Sequence, residues 1–192
     1  MQTLHTDLPG VYLLTPRRFG DERGWFSEVW SMRRLEDAGI KVDFVQDNHS
    51  FSADVGTLRG LHYQSPPRAQ DKLVRVGRGR VFDVAVDVRR GSPNYGRWVG
   101  VELSAERGEQ LFIPKGFLHG FVTLEPNTEF LYKCSDYYAP ECDGAVAWDD
   151  PEIGIDWPIA PARIRTSAKD REAQSLAEFV SPFEFDQAGD LR

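Results

Sequence analysis

The sequence predicts a mainly β fold, a sandwich or barrel of short antiparallel strands with a few short helices. Short runs rich in β-branched and aromatic residues recur along the chain, with glycine and proline between them. One run, VFDVAVDV, alternates with the period of two that a strand requires. No internal repeat or low-complexity tract interrupts the pattern, and 192 residues suit one domain with a sizeable core.

Strands are expected at residues 11–14, 25–30, 44–48, 57–63, 72–76, 81–88, 98–103, 110–113, 119–124 and 128–134. In VFDVAVDV, Phe82, Val84, Val86 and Val88 share one face, and Val81, Asp83, Ala85 and Asp87 share the other. The first face is expected to pack. The second carries carboxylates, and the pattern fits a solvated face as well as a pairing of Asp83 with Lys72 or His119. Gly77 and Gly79, Gly91 with Pro93, Pro114 with Gly116, and Pro126 with Asn127 supply the turns. A helix is expected over 31–38, capped by Ser31 and ended by Gly39. A second is expected over 167–179, where Ser167 and Asp170 have capping-box spacing. Residues 149–162, DDPEIGIDWPIAPA, read as an ordered connection across the surface.

Acidic residues outnumber basic ones by 30 to 23, a net charge of −7, which argues against nucleic acid or an anionic membrane as the main partner. The surplus lies beyond residue 80; the first 80 residues are slightly basic and leave room for a local anion site. Cys134 and Cys142 are too few for a disulfide framework and are expected as reduced thiols. The N-terminus has no signal-peptide pattern, and no apolar run approaches the ~18 residues of a membrane span, so a soluble cytoplasmic protein is expected.

Of the histidines, His62 in LRGLHYQ and His119 in IPKGFLHGF have unusual settings. A lone histidine is more often structural than catalytic, and the case for His62 rests on its company: Arg59, Tyr63, Gln64 and Lys72, with Gln46 and Asn48 on one face of a preceding strand. A regular strand points Arg59 and His62 to opposite faces; a bulge at Gly60, or a strand end there, reconciles them. Cupin-type barrels often hold a metal through His-x-His, a carboxylate and a further His. Here His62-Tyr63-Gln64 lacks the second histidine, and no metal is expected. Phosphate loops, dinucleotide fingerprints and Ser or Cys nucleophile motifs are also missing. The remaining His, Tyr, Lys, Arg and carboxylate groups suit proton transfer at a carbon acidified by a neighbouring carbonyl.

Several segments in order now carry a resemblance: QDNHSFS at Gln46, LRGLHYQ at Leu58, DKLVRVGRGRVFDVAVDVRRGSP at Asp71, LFIPKGFLHGF at Leu111, EFLYKCSDYY at Glu129, WDDPEIGIDWP at Trp148 and SAKD at Ser167. From about Gly10 to Leu176 the chain resembles the dTDP-4-dehydrorhamnose 3,5-epimerases, which act third in dTDP-L-rhamnose synthesis. The resemblance implies a cupin-like jelly roll, a homodimer and no cofactor. It also implies a substrate, dTDP-4-dehydro-6-deoxy-D-glucose, inverted at carbons 3 and 5 through enolates to dTDP-4-dehydro-L-rhamnose.

Residue by residue, His62 matches the family's general base and Asp170 the acid that orients it, although a capping role for Asp170 is the rival reading. Tyr132, otherwise an ordinary strand aromatic, matches the proton donor, and Lys72 the group that steadies the oxyanion. Arg23, Glu28, Gln46, Asn48, Arg59, His119 and Lys169 match positions that hold the nucleotide and sugar. Tyr138 matches the residue stacked on thymine, while Phe19, Phe26 and Glu28 match residues that reach the partner chain's pocket. Asp143 stands where the family usually has Glu, and Asp71 replaces the usual Gly; both are expected to alter affinity rather than chemistry. The competing readings are a relative that inverts only carbon 3 or only carbon 5, and a non-catalytic sugar-binding jelly roll. The joint presence of His62, Tyr132 and the near-complete motif series favours the double epimerase.

Overall fold

A computed structural model describes residues 1–186. Among them, in chain order, are β1 (Gln2–His5), β2 (Tyr12–Thr15), β3 (Arg18–Asp21), β4 (Gly24–Ser27), α1 (Met32–Asp37), β5 (Gln46–Ser52), β6 (Leu58–Gln64), β7 (Lys72–Arg78), β8 (Arg80–Asp87), β9 (Trp98–Ser104), β10 (Gln110–Ile113), β11 (Phe117–Thr123), β12 (Thr128–Cys134), β13 (Asp143–Ala145) and α2 (Ala168–Arg171). One antiparallel sheet has the order β1-β2-β10-β7-β12-β5 and faces a second, β13-β6-β11-β8-β9, while β3 and β4 form a hairpin of their own. The expected β sandwich is therefore present, with β1, β3 and β13 added to the predicted strands.

Apolar residues explain the layering. Val74, Val76, Leu111, Ile113 and Phe130 of the first sheet meet Val81, Ala85, Leu103, Phe117 and Phe121 of the second in the central core. Each of these side chains except the smaller Ala85 contributes roughly 1.5–3 kcal/mol by leaving water. The outer faces are also covered. Leu35 of α1 and Ile40 pack on Leu14, Leu73 and Phe112, and Ile153, Leu176, Phe179 and Phe183 pack on Leu61, Val84, Val86, Val88 and Leu118.

That double covering corrects the reading of β8. Its Val84 side meets the C-terminal segment, and the side with Asp83 and Asp87 faces the sandwich interior, where both carboxylates are fully buried. The predicted helix over 167–179 is also shortened, to Ala168–Arg171. Beyond it, the Ala147 amide donates to Gln174 O (2.8 Å) and the Leu176 amide to Asp150 Oδ2 (2.8 Å), so this stretch lies against the chain just after β13 and buries Leu176 and Phe179. Tertiary burial outweighs the helical preference of the segment. Ser31 stands at the start of α1 in an extended conformation, but its side chain makes no capping bond.

Of the bulge or strand end at Gly60 that would reconcile Arg59 and His62, the bulge is the one present. His119 of β11 pairs with His62, but Phe121 pairs with Arg59, so three steps along β6 match two along β11. Gly60 has φ +135, and a Cβ there would lie 2.5 Å from the Gly120 Cα and 2.9 Å from the His119 oxygen. Gly60→Ala is expected to destabilise the fold by about 1–3 kcal/mol and to depress activity as His62 is displaced. Denaturant unfolding and turnover measured on the same preparation check this; wild-type values for both would contradict it.

Candidate active site

The bulge brings Arg59 and His62 to one cavity of about 450 Å3, bounded also by Lys72, His119, Tyr132 and Asp170. A second lobe of about 380 Å3 shares His62, Lys72, Tyr132 and Lys169 with the first and adds Gln46, Asn48, Tyr138 and Asp143. His62 and His119 belong to one sheet, and Tyr132 and Lys72 to the other, so the imidazoles face the phenol and the ammonium across the sandwich.

His62 Nε2 lies 2.6 Å from Asp170 Oδ1, and the Asp170 side chain is only 3% exposed. Burial would raise the Asp170 carboxyl, but the hydrogen bonds from His62 and Ser167 prevail and hold it below the usual aspartate range. The cap and the dyad coexist: the Asp170 amide donates to Ser167 Oγ (3.2 Å) while the carboxylate serves His62. The cap contact with Ser167 and the contact with His62 are thus both present at Asp170.

A second pair lies deeper, with His119 Nε2 3.0 Å from Asp83 Oδ2. Of the two readings of Asp83, the pairing is the one realised, and the solvated face is not. Burial pushes the His119 imidazolium down and the Asp83 carboxyl up. It also pushes the Tyr132 phenol up and the Lys72 ammonium down. The Lys72 side chain makes no hydrogen bond or ion pair among the described residues, which leaves its ammonium available to an incoming oxygen.

In the second lobe, Gln46 Nε2 donates to Asn48 Oδ1 (3.1 Å). Asp143 Oδ2 accepts from the Tyr138 hydroxyl (3.3 Å) and from Lys169 Nζ. The shorter carboxylate at position 143 is therefore tied to two other predicted site residues. Phe19, Arg23, Phe26 and Glu28 are not brought to the cavity within one chain. Phe19 and Phe26 are exposed on the β3–β4 hairpin, Arg23 pairs with Asp21 (2.6 Å), and Glu28 pairs with Arg34 (3.0 Å).

Sequence reasoning missed Ser50, Thr57, Arg165 and Thr166, which border the first lobe. Ser50 continues the Gln46, Asn48 alternation along β5, so parity could have found it. Nothing local marks Arg165. Cys134 and Cys142 are buried free thiols, and burial pushes Cys134 up. Among the described residues no three His, Cys, Asp or Glu side chains gather as a metal-binding group, and no helix is long and apolar enough to cross a membrane.

Comparison with known proteins adds to this geometry. The family model described as dTDP-4-dehydrorhamnose 3,5-epimerase matches residues 5–178. The chain belongs to this family. A Pseudomonas aeruginosa enzyme named dTDP-4-dehydrorhamnose 3,5-epimerase is 53% identical, with 93% of this chain and 97% of the relative covered. The enzyme of that name from Salmonella typhimurium is 52% identical over 92% and 96% of the two chains. Among solved structures, the Legionella pneumophila epimerase in complex with dTDP-4-keto-L-rhamnose superposes with a TM-score of 0.92 at 45% identity, covering 96% and 98%. The sandwich is thus the cupin-like fold of these epimerases. A 3'-monoepimerase from Streptomyces bikiniensis in complex with dTDP-quinovose stands further off, at 34% identity and a TM-score of 0.82, covering 90% and 86%.

Because the Asp170 carboxyl is lowered, its stabilising contribution is fully present above the unfolded-state value of about 3.9 and fades as pH falls through the lower folded value. Asp170→Asn is expected to lose stability at pH 6 and to show a shallower acid limb than wild type. Urea unfolding from pH 2 to 7 checks this, and parallel limbs would contradict it.

Proposed function

We infer that the protein epimerises dTDP-4-dehydro-6-deoxy-D-glucose at carbons 3 and 5 to give dTDP-4-dehydro-L-rhamnose. The observation that carries the mechanism is the placement of the Asp170-bound His62 and of Tyr132 on opposing sheets around one cavity that Lys72 also lines. Inversion at a carbon beside a ketone needs a base on one face of the sugar and an acid on the other.

With Nε2 engaged by Asp170, the second ring nitrogen of His62 takes the proton from carbon 3 or carbon 5. Asp170 stabilises the imidazolium that forms. The bonding electrons of the broken C–H bond form the enolate, whose charge on the carbon 4 oxygen meets the Lys72 ammonium. A preorganised donor of this kind is typically worth about 3 kcal/mol. Tyr132 delivers a proton to the opposite face; burial pushes its phenol above the usual tyrosine value. Acid and base assistance each contribute roughly 10²–10⁴-fold. His62 then releases its proton to solvent and the Tyr132 phenolate takes one up from solvent, leaving the enzyme ready for the next carbon.

Arg59 and Lys169 supply cations for the diphosphate and Tyr138 a ring for thymine, with Gln46, Asn48, His119 and Asp143 completing the contacts. A second copy of the chain supplies the rest. The β3–β4 hairpin belongs to neither large sheet and exposes Phe19 (52%), Trp25 (59%) and Phe26 (69%), an apolar surface suited to a partner subunit. In such a homodimer, Phe19, Arg23, Phe26 and Glu28 reach the neighbouring pocket. The whole chain acts as a single epimerase domain in the cytoplasm, without cofactor or metal.

In heavy water, with no reductase present, the enzyme is expected to place deuterium at carbons 3 and 5 of the L-configured product. His62→Ala should abolish this exchange while dTDP still binds, and Tyr132→Phe should exchange protons but change the stereochemical outcome. Mass spectrometry and NMR check these results: deuterium at one carbon only would overturn the double inversion, and normal turnover by His62→Ala would remove it as base. Light scattering is expected to show a dimer that Phe26→Ser weakens, with kcat/KM falling alongside; an active monomer would contradict the shared pocket.

A further inference from the structure

The segment that presents Tyr138 belongs to no strand, and its peptide groups are held by side-chain amides instead. Gln70 Nε2 donates to the Asp136 oxygen (2.8 Å), and Gln64 Nε2 donates to the Tyr137 oxygen (3.2 Å). The Tyr138 amide donates to Gln46 Oε1 (2.9 Å), and the Ala139 amide donates to Gln64 Oε1 (2.9 Å). Four consecutive residues are thus suspended from three glutamines that all line the second lobe. Gln64, 5% exposed, also donates to the Arg68 oxygen (2.6 Å), so it ties the loop after β6 to the same segment.

These bonds fall on Tyr138 and its immediate neighbours, whose rings have little else to hold them. Tyr138 is 59% exposed, stacks on no other aromatic ring among the described residues, and has one polar contact from its ring, to Asp143. Its direction is therefore set by the main chain, and the main chain is set by the glutamines. Gln64 lies two residues beyond His62 on β6, so the strand that carries the base also sets the frame of the opposite lobe.

We propose that Gln64 and Gln70 are positioning residues for the nucleotide: with Gln46 they fix the peptides around Tyr138 so that its ring meets the base, and through that ring they set the affinity for dTDP. This rests on the reading of the second lobe as the nucleotide site. Neither residue touches the reacting carbons, so their loss acts on binding.

The test is a pair of double-mutant cycles read by calorimetric titration with dTDP and by steady-state kinetics. Gln70→Leu and Gln64→Leu are each expected to weaken dTDP about tenfold and raise KM to match, because partner carbonyls and an amide lose their bonds. kcat should stay within about twofold. In a Tyr138→Ala background the same changes should weaken dTDP by no more than about twofold further, since the ring they position is gone. Losses that simply add in that background would overturn the proposal, as would unaltered dTDP affinity in Gln70→Leu. Should Gln64→Leu fail to fold, the half-buried Gln70 carries the cycle alone. Turnover by the unsubstituted protein is read separately: coupled dTDP affinities without epimerisation would sink the functional reading, and epimerisation with additive losses would sink this inference.

Discussion

Between Gly60 of β6 and Gly120 of β11 the two main chains approach so closely that a Cβ on either residue would meet backbone atoms at 3.3 Å or less. The extra residue of β6 at this point brings Arg59 and His62 onto the same side. Without it, pleating would send one of them to the outer layer packed by the C-terminal segment. The cation expected at the diphosphate and the base would then lie on opposite sides of a sheet. The pairing of His62 with Asp170 and the presence of Arg59 beside His62 in the cavity follow from that local change in register.

The interior created in this way is polar where the ends of the sandwich open and apolar between. Removing Asp83 and His119 from water is unfavourable, and each is placed opposite the other, just as the buried Asp87 accepts from Arg89 (2.7 Å) and Ser92 (2.7 Å). Three apolar clusters, one between the sheets and one on each outer face, offset those penalties. Lys72 is different: its ammonium is desolvated without a bonded partner among the described residues. An oxyanion forming beside it gains from a cation that water does not screen.

Much of this was legible along the chain. Alternation in VFDVAVDV showed which residues of β8 share a face, and the conflict between Arg59 and His62 called for either a bulge or a strand end at Gly60, of which the bulge is present. Spacing could not say that both faces of β8 are covered, because the cover comes from Leu176, Phe179 and Phe183, some 90 residues away in sequence. The same segment defeated the expected helix. A capping box starts a helix, but it carries no information about the sheet against which later residues prefer to pack.

By itself the sequence determined the mainly β class, most strand positions and the family, since periodicity, turn residues and ordered motifs are local properties of the chain. It also placed His62, Lys72, Tyr132 and Asp170 among the residues to watch. Only the tertiary structure decided that Asp83 is buried against His119, that Ser167 caps α2 at the Asp170 amide while the Asp170 carboxylate holds His62, and that three glutamines frame Tyr138. Each of those outcomes joins residues distant in sequence, and hydrogen bonds and desolvation depend on separation in space, which spacing along a chain does not encode.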